Sequence, residues 1–148
     1  MSIPFSAAHR GTFLMPTYTT PPGEEDILRM AEAALSAMPA SLAGRVAGVA
    51  MLIEDLADAA LLAELGIDDP WALTGLYEGV PMPSRSVLDV APLPGRITLY
   101  RLAILAEWVE TGEDLSRLVG SVLIHEIAHH FGFSDAAIER IEADMQAP

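Results

Sequence analysis

The sequence contains no cysteine. Disulfide cross-links and thiolate zinc sites are therefore excluded, and the chain is compatible with a reducing compartment. It contains no lysine either. All 8 cationic side chains are arginines, set against 21 acidic ones for a formal net charge of −13. Non-specific nucleic-acid affinity comes largely from neutralised phosphates, so a chain this acidic is expected to have no nucleic-acid partner. The same balance is repelled by anionic membrane surfaces. No apolar stretch approaches the length of a membrane span, and residues 1–22 hold a single arginine and no apolar run of signal-peptide length. These absences predict a cytoplasmic protein without a membrane partner.

What is present is material for a core. Apolar residues make up 51% of 148 positions, enough for one hydrophobic core and too few for two independent ones. Residues 1–23 mix Pro4, Pro16, Pro21, Pro22 and Gly23 with hydroxyl residues and show no periodicity. They are read as a flexible leader, and 24–148 as the single domain. Within the domain, Ile27, Met30, Ala31, Ala34 and Leu35 recur at helical spacing over 24–38, behind three acidic residues that favour a helix start. The run Val46–Ile53 reads as a buried strand, and 57–65 as a short helix closed by Gly66. Between 70 and 95, prolines and glycines punctuate short segments such as Leu73–Tyr77 and Ser86–Val90. Arg96–Arg101 alternates like a strand, and helices are expected at about 102–110, 114–131 and 135–145.

Chemistry concentrates in the predicted helix over 114–131, where His125-Glu126-Ile127-Ala128-His129-His130 places three of the four histidines. Positions 125 and 129 lie one turn apart and only about 40° apart around a helix axis, so both imidazoles can address one ion. Glu126, beside the first histidine, is placed to act as base toward a metal-activated water. The continuation Phe131-Gly132-Phe133-Ser134-Asp135 supplies the rest of a catalytic shell. Gly132 can take the left-handed conformation that ends a helix, which turns the chain back and brings Asp135 toward the ion. Ser134 is the expected cap of the last helix. His125, His129 and Asp135 are thus the candidate metal ligands and Glu126 the candidate catalytic base. By composition alone the five-residue motif arises about once in a hundred shuffled sequences, and the motif extended by Gly132 and Asp135 roughly once in twenty thousand.

A bland alternative stands beside this reading. Leu115, Leu118, Val119 and Val122 form an apolar stripe whose phase runs into His125, Glu126 and His129, so the histidines would be satisfied core residues. The cost of burying two imidazoles and a carboxylate without partners argues against it. His130 points about 100° away from His129 and is read as a structural or outer-shell histidine. His9 is expected to be exposed. Tyr77, Tyr100, Arg85, Arg96 and Arg101 are candidates for stabilising an oxyanion, with the tyrosines read first as amphipathic rings at the core edge. If 96–101 is the sheet edge beside the histidine helix, an extended peptide can add to it as a strand.

The run Leu123–Asp135 resembles the small bacterial zincin-like metallopeptidases with a minimal matrix-metalloprotease-like domain. The segments Leu73–Pro81 with Arg85, and Arg96–Arg101, are similar to that family as well, and the likeness covers about residues 24–142. It implies an α+β fold in which a small mixed β-sheet packs against the metal-bearing helix and flanking helices. It also implies Zn2+ held by His125, His129 and Asp135, Glu126 as general base, and a peptide or protein substrate. Metzincins carry a methionine turn beneath the metal, whereas Met145 falls here in a predicted helix. The leading expectation is a zinc metallopeptidase. The alternatives are a non-catalytic zinc-binding interaction module, with His130 or a carboxylate from 54–58 as fourth ligand, and an acidic adaptor without metal. Two histidines and a carboxylate also suit iron(II), but a glutamate directly after the first histidine fits hydrolysis.

Overall fold

Three acidic residues open α1 (Glu24–Ser36), and the Asp26 carboxylate accepts the Gly23 amide at 2.8 Å. Ile27 and Ala31, one turn apart, bury its inner face, and Pro39 follows its end. The computed structural model describes residues 20–79 and 95–146. After α1 come α2 (Ala40–Ala43), β1 (Ala50–Glu54), α3 (Ala59–Leu65), a short 3-10 turn at Pro70–Ala72, and β2 (Gly75–Glu78). β3 (Arg96–Tyr100) leads directly into α4 (Arg101–Thr111), α5 (Leu115–His130) and α6 (Asp135–Gln146). The fold is α+β, as expected: helices around one small mixed sheet.

The sheet order is β1-β3-β2, with β1 parallel and β2 antiparallel to β3. Two expectations are corrected here. The strand read from Val46 begins only at Ala50, because Gly48 sits at φ +79° in a turn that extended backbone cannot include. Val46 is nevertheless buried, which is why the whole apolar run reads as strand. The segment 96–100 is the central strand and not a sheet edge, so both of its hydrogen-bonding sides are already taken and no peptide can add to it. β2, which the sequence shows only as a punctuated segment, is the edge strand that packs on α5.

α5 is the element around which the rest is arranged, touching α1, α4, α6, β2 and β3. Its N-terminus is capped by Asp114, whose carboxylate accepts the Arg117 amide at 3.0 Å. Leu118, Val119, Leu123 and Ile127 bury its inner face in one core with Ile27, Ile97, Leu99 and Ile138. Arg101 ties the start of α4 to Asp55 (3.0 Å) and to the Pro22 carbonyl (2.9 Å), anchoring the chain just ahead of α1. His9, Arg85, the segment Ser86–Val90 and residues 1–19 of the expected leader lie outside the described residues. Among the described residues no helix is long and apolar enough to cross a membrane.

Candidate active site

The end of α5 is built by a helix-terminating glycine. Gly132 lies at φ +79°, its amide bonds to the His129 carbonyl at 3.1 Å, and the Phe133 amide reaches back to Ala128 at 2.9 Å. This pair of bonds satisfies the last carbonyls and reverses the chain. The Arg45 guanidinium lies over both flanking rings, 5.5 Å from the centre of Phe131 and 5.8 Å from that of Phe133. Ser134 then caps α6 as expected, its hydroxyl accepting the Ala137 amide at 3.2 Å. The reversal brings Asp135 Oδ1 to 3.6 Å from His129 Nε2. Two ligands of one tetrahedral zinc, each bonded at about 2.0–2.1 Å, stand about 3.3 Å apart. The spacing of this pair fits.

His125 sits one turn earlier, with its ring centre 6.1 Å from that of His129. Its Nδ1 is 2.8 Å from the Ser121 carbonyl and 3.2 Å from Glu142 Oε1, and the Ser121 hydroxyl donates to the same Glu142 oxygen at 2.7 Å. A main-chain carbonyl can only accept, so this contact favours a neutral ring with its proton on Nδ1 and its lone pair on Nε2. That is the tautomer a metal ligand needs. Drawn back toward Ser121 and Glu142, His125 is not gathered with His129 and Asp135. Among the described residues no three histidine, aspartate or glutamate side chains converge closely enough to hold an ion. The donor types fit zinc, and two of the three candidate ligands stand at ligand spacing.

The side chains of His125 and His129 are 41% and 54% exposed, and that of Asp135 is 85% exposed. The buried stripe of α5 runs instead through Val119, Leu123, Ile127 and Ala128, so the histidines are not core residues. Ser121, His125, Glu126 and His129 occupy the other, partly exposed flank of the helix.

Glu126 is half-buried between α5 and β2. Burial pushes its carboxyl above the usual carboxylate range, and a hydrogen bond from the Tyr77 amide and the neighbouring His129 and His125 work in the opposite direction. The strand register explains why β3 does not use that amide. The Tyr100 amide bonds to the Thr74 carbonyl at 2.9 Å, so the alternation of an antiparallel pair turns Gly75 and Tyr77 toward the outer edge of β2. Gly75 is required beneath: a Cβ there would stand 2.9 Å from Val122 and 3.3 Å from Glu126.

The remaining candidates are engaged elsewhere. His130 packs against Tyr77 with ring centres 4.0 Å apart and planes tilted by 40°, in keeping with a structural role. Arg96 pairs with Glu78 at 2.9 Å and Arg101 with Asp55, while Asp58 caps α3 through the Leu61 amide. Tyr100 is 1% exposed in a second cluster with Ala57, Leu62 and Ala103. Met145 packs on the core from α6. Sequence reasoning misses Ser121, Glu142 and the Tyr77 amide. Ser121 precedes His125 by one turn, a spacing that could have flagged it, but Glu142 and Tyr77 arrive from other elements with no spacing signal.

No curated protein matches the chain. The family model described as zincin-like metallopeptidase matches residues 46–145, from the approach to β1 through nearly all of α6, and the chain belongs to that family.

Proposed function

We propose that the protein is a zinc-dependent peptidase whose metal is held by His125, His129 and Asp135 and whose general base is Glu126. The observation that carries this reading is the approach of Asp135 Oδ1 to 3.6 Å from His129 Nε2, one helical turn from a histidine whose Nδ1 faces the Ser121 carbonyl at 2.8 Å. When bound, the ion supplies Lewis acidity, polarising a carbonyl and making water a competent nucleophile near neutral pH. Glu126 would take the proton of the attacking water on a carboxylate oxygen and pass it to the nitrogen of the leaving amine. Burial favours the protonated form that this shuttle must pass through. The substrate class is a peptide or protein, and the exposure of His129 and Asp135 leaves the site open to one.

The test is Glu126→Gln, with turnover followed by mass spectrometry on a diverse peptide library and zinc measured by elemental analysis. The expected result is one zinc per chain retained and turnover reduced by about 10²–10⁴-fold. His129→Ala is expected to lose the zinc. Turnover unchanged in Glu126→Gln removes Glu126 from its role.

A further inference from the structure

We propose that Glu142 is a positioning residue that holds His125 in its metal-binding tautomer, an inference that rests on the zinc reading above. The carboxylate reaches His125 from α6, seventeen positions along the chain by the numbering and with no local spacing to announce it. Its side chain is 20% exposed, and one oxygen, Oε1, lies 3.2 Å from His125 Nδ1 and accepts the Ser121 hydroxyl at 2.7 Å.

The second of these contacts matters as much as the first. The Ser121 hydroxyl also lies 3.4 Å from His125 Nδ1. A hydroxyl can donate or accept, and donation to Nδ1 would stabilise the opposite tautomer, with the proton on Nε2 and no lone pair there for a metal. Glu142 draws the hydroxyl hydrogen onto itself. The ring then meets only acceptors, the Ser121 carbonyl and the carboxylate, and its proton stays on Nδ1. Partners of this kind around a ligating histidine fix the ring and its tautomer. Because Asp135 opens α6 and Glu142 lies two turns further along it, a single helix supplies a candidate ligand and the group that orients another.

The experiment compares the full chain with Glu142→Gln, Ser121→Ala and His129→Ala. Zinc affinity is measured by competition with a chromophoric chelator. The tautomer of His125 is read by nitrogen-15 NMR on the zinc-free protein. Wild type is expected to carry the Nδ1 proton. In Glu142→Gln the carboxylate is gone and a single donor, the released hydroxyl or the amide, can occupy the Nδ1 lone pair, so the tautomer is expected to move toward Nε2–H and zinc affinity to fall about 10–100-fold. Ser121→Ala keeps both acceptors and is expected to bind zinc close to wild type. Wild-type affinity and tautomer in Glu142→Gln overturn the proposal while leaving the zinc reading intact. A predominant Nε2–H tautomer in wild type, read without any variant, overturns the proposal as well. Zinc binding absent from wild type and His129→Ala alike overturns the zinc reading and this proposal with it.

Discussion

The Tyr100 phenol ends β3 inside a small cluster, and its ionisation is pushed up to about 12 by burial first and then by Glu54, Glu78 and Asp58. An unfolded tyrosine ionises near 10. The folded state therefore holds its proton more tightly than the unfolded one, and this contribution is complete below about pH 10 and is lost as pH rises toward 12. Urea melts between pH 8 and pH 12 are expected to show wild type losing stability more steeply than Tyr100→Phe, which has no phenol to ionise. Equal slopes would place the alkaline transition on other groups. The residue scale also marks the limit of what the sequence tells about the site. His125, Glu126, His129 and Asp135 are legible as candidates because the roles proposed for them rest on offsets along one helix and one turn. The Tyr77 amide and Glu142 are not, because their contacts depend on where β2 and α6 come to rest.

Among the elements, the α5–α6 reversal is where local geometry and the candidate site are most tightly joined. Nothing lies within 4 Å of a Cβ built on Gly132, so Gly132→Ala meets no clash. It meets only the backbone penalty of the left-handed region, about 1–2 kcal/mol. The zinc-free melting temperature is expected to fall by a few degrees, and zinc affinity to weaken further as Asp135 drifts from His129. An unchanged melting curve would show that Phe131 and Phe133 under Arg45 hold the turn without the glycine. Helices are the readable elements here, since α1, α4, α5 and α6 carry their own apolar stripes and most carry recognisable caps. The strands are less so. The apolar run from Val46 is half turn and half strand, and periodicity cannot separate two kinds of buried backbone. β2 has only four residues and exists as a strand because β3 pairs with it.

For the molecule as a whole, the candidate ligands span the end of α5 and the start of α6, so occupancy of the site would couple α6 to the core through more than Ile138 and Ile141. A ligand that binds only the folded state adds RT ln(1 + [L]/Kd), about 2.7 kcal/mol at a hundredfold excess over Kd. For a chain of this size that is a rise of roughly 5–11 °C in melting temperature. Thermal melts of chelator-treated wild type with graded zinc are expected to show such a rise, increasing with zinc concentration, and His129→Ala is expected to show none. A matching rise in His129→Ala would assign the stabilisation to another site, for which the 21 acidic residues offer many weak positions. A rise confined to wild type would instead require His129, and its dependence on zinc concentration would give the affinity against which Glu126→Gln and Glu142→Gln are compared.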